Sequence, residues 1–446
     1  MHDKLNYIGD YAFYKCDELS TIEFSDNVTN IGEYCFCDCR LLENIKLPRF
    51  LETLKIGALQ NTNICEITIP GSVTEIGSGC FLNCNHLKTV EFEDSDLDLT
   101  LGYGQYNRQP LFIGNPIQRL YLGRNLKEKT MTSNIGYSIS PFMDQTELTN
   151  VTIGNNVKII GPCLFSGCSS LSEINTPNSL EQIGNGAFEG CTNLPIFDNI
   201  QYAGKCAVRV VDKNLDSYNI ANDTKFILSA CFSGCVNLKK IDLPNSIIYW
   251  GDYVFEGCTK LKEITIPDKV ETIAKKMFSG CEELENISIP SNIKIINSDA
   301  FTECDSLEQI IFPATLNLLG QECCSYMPGL KRIYCMASEP PVCEESTLNP
   351  GNSPFGKYNS DFYLRTPNDI PIYVPIGAAE KYRNAWGWDY FTNFIETDDF
   401  PTSIHNVTTE HYDSKNCVYD LMGRRVINPQ KGQVFIKNGK KTLFAY

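Results

Sequence analysis

One line of sequence returns down most of this 446-residue chain, and its fixed period limits the fold more than any other feature. The line is clearest from Ile296 to Pro313, which reads Ile-Asn-Ser-Asp-Ala-Phe-Thr-Glu-Cys-Asp-Ser-Leu-Glu-Gln-Ile-Ile-Phe-Pro. It starts at Ile8, Ile31, Leu54 and Ile76, again at Ile160 and Ile183, and again at Ile227, Trp250, Ile273, Ile296 and Leu319. Within these three runs the step is 23 residues, with one step of 22. A unit that short cannot bury an apolar face alone, so it must stack on its neighbours in a one-dimensional array.

Inside a unit, the spacing of Leu307, Ile310 and Phe312 is the L-x-x-L-x-L line of a leucine-rich repeat. Period-two alternation points Ile310 and Phe312 inward and Gln309 and Ile311 outward on a parallel strand. Pro313 ends that strand, having no N–H for the ladder, and equivalent prolines stand at Pro48, Pro70, Pro177, Pro244, Pro267 and Pro290. The next Ile-Gly, as at Ile31-Gly32, is expected to turn the chain back toward the following rung. Phenylalanines at 13, 36, 81, 165, 188, 232, 255, 278 and 301 are expected to stack as an aromatic spine, each burying on the order of 150–250 Å². The reading is a right-handed leucine-rich-repeat solenoid, β-rich with a parallel concave sheet, followed by a small all-β C-terminal module.

Composition excludes several functions. With 42% apolar and 21% charged residues the chain is neither disordered nor fibrous. No apolar run reaches the roughly 18–20 residues of a membrane-spanning helix. A net charge of −16 without a dense basic face excludes nucleic acid as partner. Met1-His2-Asp3-Lys4 leads straight into a repeat without signal-peptide character or a cap, so the natural chain is expected to begin further upstream.

The 21 cysteines invite metal or disulfide readings. Cys16, Cys39, Cys84, Cys168, Cys191, Cys235, Cys258, Cys281 and Cys304 fall in one repeat column. Cys35, Cys80, Cys231 and Cys323 fall in a second, where Ala is the alternative. Both columns read as buried thiols chosen for small apolar volume. Two of the three thiols in Cys35-Phe36-Cys37-Asp38-Cys39 are thereby explained, and no histidine nearby completes a tetrahedral site, so no metal or other cofactor is assigned.

The full line, I-G-x-x-A-F-x-x-C-x-x-L-x-x-I-x-I-P, resembles the BspA-like leucine-rich repeats of bacterial surface proteins over about residues 8–335. That resemblance implies a cell-surface or extracellular location and an adhesin-like role. Residues 94–147 are degenerate: Leu120, Leu122, Leu148, Val151 and Ile153 keep the strand, while the Ala-Phe-x-x-Cys half is read as lost. Residues 199–226 read as an inserted hairpin that adds a side contact. The period stops after Tyr334, so residues 336–397 read as a linker followed by a cap built from a strand at Ile372–Pro375, a helix near Ala378–Asn384 and a Trp386–Phe394 aromatic cluster. Residues 398–446 read as a separate β module with strands around Val418–Val426 and Gly432–Lys441, resembling the sorting-type C-terminal domains of secreted Bacteroidetes proteins.

Candidate functional residues are sparse. Only four histidines are present, and no phosphate loop, dinucleotide fingerprint or zinc-protease helix occurs. The one catalytic option is a carboxylate pair, Glu66 diagonal to Glu91 or Asp242 diagonal to Glu263, but a shallow polar sheet face does not exclude water as a glycosidase must. On the outward columns, Arg119, Tyr121, Arg332 and Tyr334 stand out, because Arg and Tyr dominate interface hot spots. Asn150, Thr152, Lys240, Asp242 and Glu263 accompany them on the same face. The expectation is a non-catalytic surface protein that binds an extracellular protein or glycan through the concave sheet. The alternatives are a structural scaffold or a carbohydrate-handling component, and last a glycoside hydrolase.

Overall fold

The computed structural model describes residues 5–102, 111–128, 140–345, 352–357 and 366–401, and three further short strands beyond them. The chain forms two compact units, residues 1–400 and 401–446.

The larger unit is a β-solenoid with two parallel ladders rather than one. The first ladder is the expected one. Its strands Glu66–Ile69, Thr89–Phe92, Arg119–Leu122, Asn150–Ile153 and Glu173–Ile174 form one five-stranded sheet. The ladder resumes with Glu263–Thr265 and Asn286–Ser288, and again with Gln309–Phe312, Arg332–Cys335, Ile372–Pro375 and Phe394–Thr397. The second ladder is built from the pairs assigned to a turn by the sequence. Tyr7–Ile8, Asn30–Ile31, Thr53–Leu54 and Glu75–Ile76 are two-residue strands in register with one another, and Thr272–Ile273, Ile295–Ile296 and Leu318–Leu319 repeat the pattern. The second residue of each pair is buried while the first is partly or fully exposed, so the repeat's first residue anchors a strand. Between the ladders the chain turns through left-handed backbone, as at Tyr253 (φ 64°) and Gly257 (φ 70°), which places a glycine at the second position in many turns.

The aromatic spine is present and longer than expected. Phe232, Phe255, Phe278 and Phe301 stack in near-parallel pairs 5.4–5.8 Å apart. In the degenerate stretch, Phe112 and Phe142 occupy the same column. Phe112 stacks 4.9 Å from Phe81 and 5.2 Å from Phe142, which continues to Phe165. The Ala-Phe half is therefore not lost there; Leu111-Phe112 and Pro141-Phe142 supply it at a longer spacing.

The two cysteine columns differ in chemistry. Cys231 and Cys80 are buried small side chains, as their exchange with Ala implies. The first column is also buried from Cys39 onward, but most of its thiols donate to a carbonyl of the preceding turn, usually that of phenylalanine; Cys84 donates to Leu59 O, and Cys235 instead accepts from Tyr218 O–H. Cys281 Sγ lies 3.2 Å from Phe255 O, and Cys304 Sγ 3.2 Å from Phe278 O. In the degenerate turns Asn115 and Gln145 fill the column and donate their amides to Phe81 O and Phe112 O at 2.9 and 2.8 Å. Small apolar volume thus describes the second column only; the first is a hydrogen-bond ladder. Burial pushes Cys39 and Cys84 up to about 11 and Cys168 and Cys191 up to about 12, which keeps these thiols protonated.

The segment from 199 to 226 does form an antiparallel hairpin, Ile200–Ala203 with Cys206–Val210. Its two strands are built into the solenoid. All four residues of its first strand are buried, and its second strand pairs in parallel with Phe226–Ile227 of the second ladder. Ile200, Tyr202 and Ala207 belong to the core that runs on to Phe394, whereas Ala203, Cys206 and Val208 belong to the core that runs back to Ile8. The hairpin is the partition between two stretches of core.

The ladder also outlasts the period. Val342–Cys343 pairs with Leu318–Leu319, and Cys324 N–H donates to Pro354 O as Phe301 N–H does to Cys323 O. Phe355 thereby takes the spine position of one more turn. Its ring packs at 5.0 Å on Trp388, which also meets Tyr382 at 4.9 Å and donates Nε1–H to Pro341 O. The short helix Ala379–Asn384 and this aromatic group cover the last turn. In the smaller unit Val418–Tyr419, Val434–Lys437 and Lys440–Leu443 form a three-stranded antiparallel sheet, while the rest of the expected strands lies outside the described residues.

Candidate binding face

Alternation along each first-ladder strand makes the candidate face. Leu120, Leu122, Val151 and Ile153 are buried, which turns Arg119, Tyr121, Asn150 and Thr152 outward. The register sets these four in two rows. Asn150 stands beside Arg119, which stands beside Thr89; Thr152 stands beside Tyr121, which stands beside Glu91. Adjacent strands lie roughly 4.8 Å apart, so these side chains are nearest neighbours across the sheet.

Hydrogen bonds hold several of them in place. Arg119 Nη2 donates to Thr89 Oγ1 at 2.9 Å, and Tyr121 O–H donates to Asp94 Oδ1 at 2.9 Å. Partial burial and the Asp94 carboxylate both raise the Tyr121 pKa, so its hydroxyl remains a donor. Asn150 Nδ2 donates to Glu173 Oε2 at 2.5 Å. Glu66 and Glu91 are diagonal, as the sequence implied, with Glu91 accepting a 3.4 Å hydrogen bond from Thr68.

The other candidates sit further along. Lys240 lies 3.4 Å from Glu263 and 3.8 Å from Asp242, so one ammonium group bridges both carboxylates in the open. Arg332 and Tyr334 lie on the strand Arg332–Cys335. Tyr334 stacks at 4.6 Å and 15° on Tyr373, a residue that sequence reasoning placed in a strand but not in the face. With Ile311 and the exposed Ile395 at adjoining register positions, the two rings make an apolar strip on an otherwise polar face. The nine candidates thus form three groups along one ladder rather than one pocket.

A cleft of about 480 Å³ opens where the five-stranded sheet ends. Asn150, Thr152, Ser172, Glu173, Ile174 and Asn175 line one side, and Pro195, Tyr202 and Gly204 the other. Asn175 is missing from the candidate set. Its side chain accepts from Ile153 N–H at 2.6 Å and donates to Ile153 O at 3.1 Å, replacing the strand that would otherwise continue there.

The sequence profile of the BspA type leucine rich repeat region matches residues 1–100, 132–209 and 210–338, in 6 copies. Among solved structures, a leucine-rich repeat protein from Bacteroides ovatus is 22% identical, with 89% of this chain and 82% of that chain covered and a TM-score of 0.32. A leucine rich cell surface protein from Faecalibacterium prausnitzii is also 22% identical, covering 74% of this chain and 83% of that one, with a TM-score of 0.32. The pneumococcal vaccine antigen PcpA is 16% identical over 85% of this chain and 80% of its own, with a TM-score of 0.31. No curated protein sequence matches the chain significantly.

Proposed function

The chain belongs to the BspA-type leucine-rich-repeat family, and from that membership we propose a non-catalytic binding protein of the cell surface or extracellular space, adhesin-like, which recognises a protein or glycan with the outward face of its first ladder. The observation that carries this reading is the patch of Arg119, Tyr121, Asn150 and Thr152. They are in register on adjacent strands and turned away from an apolar inner face, and Arg119, Tyr121 and Asn150 are held in place by Thr89, Asp94 and Glu173. Fixed aromatic and guanidinium groups lose little entropy on binding, which suits an interface. The Tyr334–Tyr373 strip, with Arg332 beside it, offers a second contact on the same face, so that weak contacts add by multivalency.

A hydrolase reading finds less support. Side chains of Lys240, Asp242 and Glu263 are 60%, 92% and 55% exposed, so water is free to reach the carboxylates and the ammonium between them. Among the described residues no helix is long and apolar enough to cross a membrane.

The test is a screen of extracellular proteins and glycans against the whole chain. Binding that persists without residues 401–446 and is lost with Arg119→Ala and Tyr121→Ala, or with Tyr334→Ala and Tyr373→Ala, supports the proposal. Hydrolysis of any glycan, abolished by Glu66→Gln or Glu91→Gln, would replace it with an enzyme.

A further inference from the structure

The cleft at the end of the five-stranded sheet is a broken hydrogen-bond ladder, and its open valences specify what fits. Each turn normally donates N–H groups to the carbonyls of the turn before. Ser172 and Glu173 donate to Thr149 O, and Asn175 donates to Val151 O. Those bonds commit residues 173 and 175 to the preceding strand. By the alternation of a parallel ladder, Ile174 N–H, Ile174 O and Ser172 O then face the other way. Among the described residues none of these three groups has a hydrogen-bond partner.

The cause is in the sequence of the next turn. Lys239 N–H donates to Asp216 O and Lys262 N–H to Lys239 O, and the same position is Pro195, which has no N–H for Ser172 O. The residues that follow, Ile196 and Phe197, pair instead in antiparallel fashion with Gln201 and Ile200. The edge is left lining a cleft whose far side is Pro195, Tyr202 and Gly204. Its volume lies within the range of ligand clefts.

The geometry points to this cleft as a docking site for an extended peptide, which adds one strand to the edge at Ser172–Ile174. Two carbonyls and one N–H at strand spacing match a peptide backbone, whereas a sugar ring has no such array of alternating donor and acceptor. Glu173 is exposed on that edge strand, with Oε2 accepting from Asn150 Nδ2 of the preceding strand, and its carboxylate charge together with the chain's net charge of −16 favours a peptide that carries Lys or Arg at the position facing Glu173. Pro195 and the ring of Tyr202 offer such a strand apolar surface on the far side of the cleft. This specifies a partner class at one end of the proposed binding face, and it stands or falls separately from the rest of that face.

The experiment uses the full chain and a synthetic library of acetylated, amidated hexapeptides with every residue scanned, read by surface binding and by amide hydrogen exchange. Basic peptides are expected to bind and to slow exchange at Ile174. Methylating a single backbone nitrogen of the best binder is expected to weaken it about two- to tenfold at alternate positions only, the loss of one net hydrogen bond. Glu173→Lys, at an exposed position that leaves the core alone, is expected to weaken basic peptides about two- to fivefold. Arg119→Ala with Tyr121→Ala is expected to leave hexapeptide binding intact, which separates this site from the broader face. The proposal is overturned if no hexapeptide slows exchange at Ile174, if methylation is without effect at every amide, or if free oligosaccharides protect Ile174 where peptides do not.

Discussion

Replacing one thiol in each cysteine column separates packing from hydrogen bonding. Cys231 and Cys281 are both essentially inaccessible, at 1% and 0% exposure, so changing either to Ala removes the same sulfur from a closed core. That shared loss costs about 1 kcal/mol, somewhat more than a buried methylene. Only Cys281 also donates to a carbonyl, Phe255 O at 3.2 Å. The same carbonyl already accepts Cys258 N–H at 3.1 Å, so Cys281→Ala does not leave it unpaired. The extra loss is one net hydrogen bond from a weak donor, about 0.5–1 kcal/mol, and not the larger penalty of an orphaned polar atom. Cys281→Ala is therefore expected to cost about twice as much as Cys231→Ala. Urea unfolding of the full chain followed by circular dichroism reads the difference, with unchanged slopes showing that the same transition is compared. Equal losses in the two columns, or a smaller loss at Cys281, would refute the ladder and restore packing as the whole explanation.

Phe112→Ala removes a ring stacked on both sides, by Phe81 and Phe142, and is expected to cost about 3–5 kcal/mol in the same unfolding assay; a loss under about 1 kcal/mol would place Phe112 outside the spine. Brief alkylation of the native chain, mapped by mass spectrometry, is expected to label exposed Cys16 and Cys65 while sparing Cys281 and Cys304. Stability is expected to depend on the buried thiols at alkaline pH. Their folded-state values lie above the ordinary thiol value of 9.0, at about 11 for Cys39 and Cys84 and about 12 for Cys168 and Cys191, so the folded chain holds protons that the unfolded chain releases. Their contribution is complete below pH 9 and is lost as pH rises through 11–12. Cys168→Ala with Cys191→Ala should flatten that decline, and an unchanged slope would show that other groups cause it.

The inward columns were legible because a 23-residue period places each Leu, Ile and Phe on its counterpart one turn away, and burial follows the pattern almost without exception. The same logic set Arg119, Tyr121, Asn150 and Thr152 on one outward face, since alternation fixes side as well as spacing. What the period could not carry, the tertiary structure decided. Phe81, Phe112 and Phe142 are 31 and 30 residues apart, so their column is visible only once the loops between turns are folded out of the count. Tyr334 and Tyr373 meet across 39 residues for the same reason. The second ladder was hidden because two residues are too short a run for alternation to show. Hydrogen-bond direction was hidden as well: a column of cysteines looks apolar in one dimension, and the carbonyl that receives most of these thiols belongs to the turn before. The break at Pro195 was written in the sequence as a single missing N–H, but its consequence, an open edge at Ser172–Ile174, exists only where the next turn would have closed it.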